Sequence, residues 1–223
     1  MGLEADRERI ITDVWDWQTR VLHWINALLI ITLVLLIIGK EGMEIIGAAK
    51  SLRDQVERLH AYIGHVFVIT FILRIIWGFA GNVYARWSDI IPYKRERWLS
   101  IRTNIKWYFS GFKGSPVRAT GHDPLATLFY IALFVVLIVE ILTGLTLSGL
   151  EFKTFPGTLI TGGMSEASAK GLVSALEEAH EFGMWFIIFF LATHLTGLVV
   201  HEIKEKTGLF SSMIHGKKYL PRE

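Results

Sequence analysis

The chain has 223 residues, of which 52% are hydrophobic and 20% are charged; its formal net charge is +2 and it contains no cysteine. A chain this apolar is rarely a soluble domain, and its length suits one domain embedded in a membrane. The lack of cysteine excludes disulfides, thioether-attached haem and Cys-ligated zinc or iron–sulfur centres, while the small net charge gives nucleic-acid binding no support.

Four apolar segments are long enough to cross a bilayer, which takes about 20 residues per helix. They predict an all-α membrane protein whose single domain, residues 1–223, is a four-helix bundle. Asp123 and Pro124 mark the predicted start of the third span, because Asp is favoured at the N-cap and Pro at the first helical position. No small-residue cleavage site follows the first span, so we expect it to act as an uncleaved insertion signal. The predicted spans are about 21–39, 60–80, 124–148 and 180–202.

The link between spans two and three contains an amphipathic stretch, Glu96–Phe112, in which Trp, Ile and Tyr residues stand beside Arg102 and Lys106. This pattern predicts a helix that lies in the membrane interface against lipid. A helix in a soluble loop is the alternative.

Lysine and arginine are unevenly shared between the two ends of the spans. The N-terminal segment, the second link and the C-terminal tail hold 16 of the 23, the other two links hold 6, and Arg74 lies within span two. By the positive-inside rule, we expect both termini in the cytoplasm.

His180 and His194 lie 14 residues apart in the fourth span. At about 100° and 1.5 Å per residue, they are about 40° apart around the helix and about 21 Å apart along it. Both therefore point the same way at two depths. Ionisable groups inside a span are costly and usually functional, and neutral imidazole is a common haem ligand. The spacing predicts two haems stacked across the bilayer.

Each haem needs a second histidine at its own depth, and the topology supplies one. His60 begins span two on the outer side, level with His180. His23 begins span one on the inner side, level with His194. We therefore predict two haems b, each bound by one of these pairs. For His23, His60 and His180, the alternative is a surface or interfacial position without a haem. His194, in contrast, lies well inside an apolar helix.

The other polar candidates are less specific. His65 follows His60 by five residues, about 140° around the helix, so both cannot bind one iron and His65 is the rival ligand. His201 could contact a haem propionate or a quinone, or simply lie at the interface. His122 could line a quinone pocket or be a polar helix start. Arg20 could pair with a propionate or anchor the chain at the cytoplasmic surface.

Glu140 lies inside span three, where an ionised carboxylate is expensive, and both a protonated side chain and a part in proton uptake are open. Glycines also stand one helical turn after three of the predicted ligands. These small residues leave room for a large flat cofactor, although close helix packing explains them equally well. They are Gly64, Gly183 and Gly197.

Several short motifs lie between about Val14 and Gly216. They are Arg20-Val21-Leu22-His23-Trp24, Arg58-Leu59-His60, Arg74-Ile75-Ile76-Trp77, Gly81-Asn82, Gly121-His122-Asp123-Pro124-Leu125-Ala126, Thr143-Gly144, His180-Glu181-Phe182-Gly183-Met184-Trp185 with His194, and Ser211-Ser212-Met213-Ile214-His215-Gly216. As a set they resemble the b-type cytochrome subunit of membrane-bound nickel–iron hydrogenases. That family belongs to the prokaryotic cytochrome b561 superfamily, which also holds the gamma subunit of respiratory formate dehydrogenase.

The resemblance implies a two-haem, four-helix anchor in the cytoplasmic membrane of a bacterium or archaeon. It implies that electrons from periplasmic iron–sulfur and hydrogenase subunits enter the outer haem, held by His60 and His180. They would pass to the inner haem, held by His23 and His194, and reduce quinone. The chain itself would perform no H2 chemistry, because it lacks the cysteines for a nickel–iron centre or a cluster.

Three positions depart from the family pattern: His65, His201 and Glu140. They leave the quinone site, the proton route and the partner open. The same fold could serve formate dehydrogenase or a multihaem cytochrome c, or oxidise quinol on its own. A haem-free, His-rich metal transporter is a distant alternative, opposed by the scarcity of carboxylates within the spans.

Overall fold

The computed structural model describes residues 9–114, 116–117 and 119–221. Arg7, Arg118 and Arg222, three of the basic residues counted for the orientation, lie outside these residues. The elements in chain order are β1 (Arg9–Asp13), α1 (Trp17–Ile45), α2 (Lys50–Ala80), α3 (Trp87–Ile90), α4 (Arg95–Phe109), α5 (Ala126–Glu151), α6 (Gly157–Thr161), α7 (Glu166–Glu205), α8 (Leu209–His215) and β2 (Lys217–Pro221).

The four helices α1, α2, α5 and α7 are long and apolar enough to cross a membrane, by length and composition. Apolar segments form helices in lipid because every backbone N–H and C=O group then bonds within the segment. The expectation of four helices that are able to span a membrane is therefore confirmed. Three of the helices contain the predicted span and extend beyond it, α7 by the most, because it begins 14 residues before His180.

The third span begins at Ala126, two residues later than predicted. Asp123 nevertheless caps its start, because Asp123 Oδ1 accepts hydrogen bonds from the backbone N–H groups of Leu125 and Ala126, at 2.8 and 3.0 Å. The capping residue was thus read correctly, and the difference lies in the turn that separates the cap from the first full helical turn.

The amphipathic stretch of the second link forms α4. Its buried face consists of Ile101, Asn104 and Trp107, three residues apart. Asn104 accepts a hydrogen bond from the Val117 backbone N–H at 2.7 Å, and it donates to Asp123 at 2.9 Å. This helix therefore holds the loop that leads into the third span.

A two-stranded antiparallel sheet joins β1 to β2, with Arg9 opposite Pro221 and Asp13 opposite Lys217. The sequence predicts only helices, so this sheet departs from the predicted all-α fold. Strands of five residues with interleaved charges carry too little periodicity to be predicted. The sheet brings the two ends of the described chain together.

The chain divides into two compact units, each built from distant segments. The first takes its described residues from Met1–Leu22, Arg74–Ala132 and Leu191–Glu223, and the second from His23–Leu73 and Leu133–Phe190. Each unit has buried apolar side chains: Val14, Ala85, Ile90, Ile101 and Trp107 in the first, and Phe67, Phe71, Leu137, Met184, Ile187 and Phe190 in the second.

Candidate functional site

Two predicted ligands face each other inside the second unit. The ring centroids of His60, on α2, and His180, on α7, lie 6.1 Å apart with their planes at 82°. A metal–imidazole bond is about 2 Å long, so two imidazoles on opposite sides of one metal ion have centroids about 6 Å apart. The spacing therefore suits an iron ion between the two rings.

In both rings the Nδ1 atom faces protein oxygen. His60 Nδ1 lies 3.2 Å from the carbonyl oxygen of Leu33. His180 Nδ1 lies 2.8 Å from Thr143 Oγ1 and 3.2 Å from a carboxylate oxygen of Glu140. An imidazole that donates from Nδ1 keeps its lone pair on Nε2, where it can bind a metal. These contacts select the tautomer that haem ligation needs.

A glycine borders the His180 ring, and another leaves open space one turn after His60. A Cβ atom added to Gly144 would lie 3.2 Å from Cε1 of His180, so the backbone of α5 approaches that ring closely. Gly64 stands one turn after His60, and apart from the adjoining residues of its own helix no described atom lies within 4 Å of the position its Cβ would take. A bare backbone beside a ligand gives a flat macrocycle clearance. The donor set and the clearance together fit a haem b.

The rival ligand His65 faces a different neighbour. Its Nε2 atom lies 3.5 Å from the hydroxyl oxygen of Ser148 on α5. The helical phase predicts that His65 and His60 point in different directions. In the structure the two rings contact different partners, Ser148 for His65 and the Leu33 carbonyl oxygen for His60.

The other two predicted ligands lie in different units. His23 belongs to the second unit, and its ring centroid lies 5.3 Å from that of Trp24. His194 belongs to the first unit, and its centroid lies 6.1 Å from that of Tyr130. Tyr130 also contacts His122, at 5.5 Å between centroids. Within the first unit, Tyr130 thus contacts both His194 and His122.

His122 forms a close pair with Asp89, whose carboxylate the sequence did not single out. Asp89 Oδ2 lies 2.7 Å from His122 Nδ1 and accepts the His122 backbone N–H at 3.0 Å. Burial raises the pKa of the Asp89 carboxyl, but hydrogen bonds from His122 and the charge of Arg97 outweigh burial and lower it. Burial lowers the pKa of His122, and Asp89 offsets only part of that effect. The pair is a neutral imidazole donating to a carboxylate.

His201 is buried in a second polar group of the first unit. Its Nε2 atom lies 2.8 Å from the Tyr108 hydroxyl oxygen, and its Nδ1 atom lies 3.0 Å from a carboxylate oxygen of Glu205. Burial, with the charges of Asp123 and Glu205, raises the pKa of Tyr108 to about 12. Tyr108 was read as part of an amphipathic surface, because nothing in its own segment reveals a partner 93 residues away.

Two basic side chains hold the C-terminal tail to other segments of the first unit. Lys218 Nζ donates to the carbonyl oxygens of Thr120 and Gly121, at 2.9 and 2.8 Å. Burial lowers the pKa of Lys218 to about 8, against the opposing charge of nearby carboxylates. Arg20 donates to the carbonyl oxygen of Ile214. Arg20, the predicted partner of a haem propionate, thus donates one of its N–H groups to the C-terminal tail.

A bare-metal site requires several ligating side chains in one place. In the part of the chain that the structure describes, no group of three or more His, Asp or Glu side chains gathers in that way. The haem-free metal transporter therefore gains no support from the geometry.

Comparisons with known proteins agree over nearly the whole chain. The family model described as prokaryotic cytochrome b561 matches residues 14–216. A Bradyrhizobium diazoefficiens protein named "Probable Ni/Fe-hydrogenase B-type cytochrome subunit" is 27% identical over 92% of this chain and 85% of its own length.

A protein of the same name from Rhizobium leguminosarum is 28% identical over 95% of this chain and 90% of its own. The "Probable Ni/Fe-hydrogenase 1 B-type cytochrome subunit" of Escherichia coli K12 is 27% identical over 91% of this chain and 88% of its own. The similarity therefore extends through all four long helices and is not confined to one motif.

Proposed function

Because the chain belongs to the prokaryotic cytochrome b561 family, whose model matches residues 14–216, we propose that it is the two-haem membrane subunit of a nickel–iron hydrogenase. In this role it carries electrons from a periplasmic partner across the cytoplasmic membrane to quinone. The names of its relatives, Ni/Fe-hydrogenase B-type cytochrome subunits, support hydrogenase as the partner. Those relatives are bacterial, which favours a bacterial membrane and lends nothing to an archaeal one.

The observation that carries the proposal is the pair His60 and His180. Their rings stand 6.1 Å apart, and each Nδ1 atom faces an oxygen, so each Nε2 atom is left for a metal. When bound there, haem b supplies a one-electron iron couple. The two helices contribute one ligand each and hold both imidazoles in a fixed tautomer. We assign this pair to the outer haem.

The second haem of the proposal is held by His23 and His194. Its support comes from the sequence: His194 follows His180 by 14 residues on the same face of α7, and His23 begins the first span at the matching depth. Arg20 stands one helical turn before His23, and its guanidinium retains N–H groups that can bind a propionate.

The quinone site of the proposal lies in the first unit, near His194. His122 and His201 are its candidate polar residues, each already bonded to a carboxylate. Reduction of a quinone to quinol takes up two protons, so groups that hold or relay a proton are needed beside it. Asp89 holds His122 in place, and Tyr108 with Glu205 does the same for His201.

The proposed orientation puts both termini in the cytoplasm, because 16 of the 23 lysines and arginines lie on that side by the positive-inside rule. In this orientation α4 lies along the cytoplasmic surface against lipid. Its exposed Trp98 and Phe109 suit that position, since aromatic side chains are favoured in the interface.

The proposal is tested on the complex purified from membranes in mild detergent. We expect a pyridine haemochrome assay to give two haems b per chain, and H2 to reduce both when hydrogenase subunits co-purify. A fully loaded preparation with fewer than two haems contradicts the two-haem assignment. Reduction by formate, and not by H2, contradicts the assigned partner. A colourless protein that binds divalent metal contradicts haem binding altogether.

A further inference from the structure

Glu140, in the third membrane-spanning helix, lies against the haem ligand candidate His180. One carboxylate oxygen is 3.2 Å from His180 Nδ1, and the side chain is 11% exposed. Its other oxygen, Oε1, is buried with no hydrogen-bond partner among the described residues. A buried carboxylate in an apolar helix is expensive, so a group that remains there needs a stabilising neighbour.

Thr143 shares the same nitrogen but offers a weaker acceptor. Its hydroxyl donates to the Val139 carbonyl oxygen at 2.8 Å, which leaves a lone pair facing His180 Nδ1, also at 2.8 Å. The His180 N–H group therefore points at one hydroxyl and one carboxylate. His60 instead faces only a neutral carbonyl, that of Leu33. The two rings of the pair thus differ in the acceptor groups that face Nδ1.

The absence of a side chain at Gly183 leaves the space that the Glu140 carboxylate occupies. A Cβ atom on Gly183 would lie 2.8 Å from Cδ and 3.2 Å from Cγ of Glu140. Any larger residue at position 183 must push the Glu140 side chain aside. This glycine, one turn after His180 on α7, therefore lets α5 present its carboxylate to the ring.

We propose that Glu140 is a positioning residue that holds His180 through its Nδ1–H group and lowers the reduction potential of the outer haem. The inference rests on the proposed function, since it takes His60 and His180 as the residues that would hold the outer haem. A carboxylate behind a ligating imidazole fixes the ring and makes it more basic. It also stabilises the more positive, oxidised iron centre over the reduced one. Both effects act in the same direction.

The decisive experiment is a potentiometric titration of the purified holoprotein with Glu140→Gln. Glutamine keeps the shape and an acceptor oxygen but removes the charge. We expect the full haem content, a higher potential for the outer haem and an unchanged inner haem. The step lost in His60→Ala identifies the outer haem. The near-infrared charge-transfer band of the oxidised outer haem should also move, because it reports ligand basicity.

Glu151→Gln is the matched control, since Glu151 lies on the same helix about 16 Å further along. It removes a charge without touching His180, and the potential should stay within error. An equal rise in this control would overturn the inference, because the effect would then be a general charge effect.

Gly183→Ala provides a second variant, which keeps the Glu140 residue but displaces its side chain from His180. We expect it to raise the potential of the outer haem in the same direction as Glu140→Gln. If Glu140→Gln loses the outer haem, this variant decides, and an unchanged potential in it overturns the inference. Full haem content with unchanged potentials in both variants overturns the role of Glu140 and leaves the haem assignment standing. Wild-type protein without haem overturns the proposed function instead.

Discussion

Gly144 and His180 touch closely: a Cβ atom on Gly144 would lie 3.2 Å from Cε1 of the imidazole. Gly144→Ala should therefore tilt the ring away from its present rotamer, at a cost of about 1 kcal/mol. We expect the outer haem to bind about fivefold more weakly and the inner haem to bind normally. Haem content at limiting haem supply measures the effect. Gly42→Ala is the control, because apart from the adjoining residues of its own helix no described atom lies within 4 Å of its Cβ position.

The proposed pairing predicts how histidine losses combine. Substituting His60 or His180 by Ala should remove the same single haem, so the double variant should lose no more than either single one. Combining His60→Ala with His194→Ala should remove both haems. The pyridine haemochrome count per chain checks each case. His65→Ala should retain two haems, and a preparation that lost one would make His65 a ligand.

The pair of Asp89 and His122 predicts a defect confined to quinone reduction. Asp89→Asn removes the carboxylate that accepts from His122 at 2.7 Å. Positioned proton transfer typically contributes about 10²–10⁴-fold to a rate, so we expect quinol formation to slow by at least about tenfold when His122 loses its orienting carboxylate. Haem reduction by the donor should proceed at the wild-type rate. Stopped-flow spectroscopy separates the two steps.

The control for that experiment is Asp13→Asn, whose carboxylate side chain is 87% exposed. Equal slowing of haem reduction and quinol formation in Asp89→Asn would instead indicate a general loss of structure.

Asp16 predicts an acid-dependent loss of stability. Burial raises its pKa, but hydrogen bonds from Thr19, Asn82 and Trp77 outweigh burial and lower it. A carboxyl whose folded pKa is lowered stabilises the protein above its unfolded pKa of about 3.9. That contribution is lost as the pH falls through the folded pKa. Asp16→Asn should therefore destabilise the protein at pH 7, and the difference from wild type should shrink as the pH falls through the folded pKa of Asp16.

Thermal unfolding in detergent, followed by circular dichroism from neutral to acid pH, checks this expectation. Asp13→Asn again serves as the exposed comparison. A deficit in Asp16→Asn that stays constant down to the lowest pH would contradict the role of the charge.

Much of the architecture follows from local patterns. A run of about 20 apolar residues has one stable state in lipid, because only a helix satisfies its backbone internally. Asp123 was recognisable as a helix cap from its type and its place before Pro124. The similarity that identifies the family could also be read from short motifs spread along the chain.

The polar partners were not readable in this way. Asp89 precedes His122 by 33 residues and Tyr108 precedes His201 by 93. No periodicity links such residues, since they meet only after loops and helices have packed. The pairing of β1 with β2 is an extreme case, because it joins the two ends of the described chain.

The sequence alone determined the number of spans, because a long apolar run is stable in lipid only as a helix. It also determined the phase of histidines within one helix, because the α-helix repeats every 3.6 residues. It placed His180 and His194 on one face of α7 and separated His60 from His65. Only the tertiary structure decided what stands behind each ring: the Leu33 carbonyl for His60, and the Thr143 hydroxyl with the Glu140 carboxylate for His180. The reason is that the rotation and separation of packed helices depend on contacts between segments, which no pattern within a single segment records.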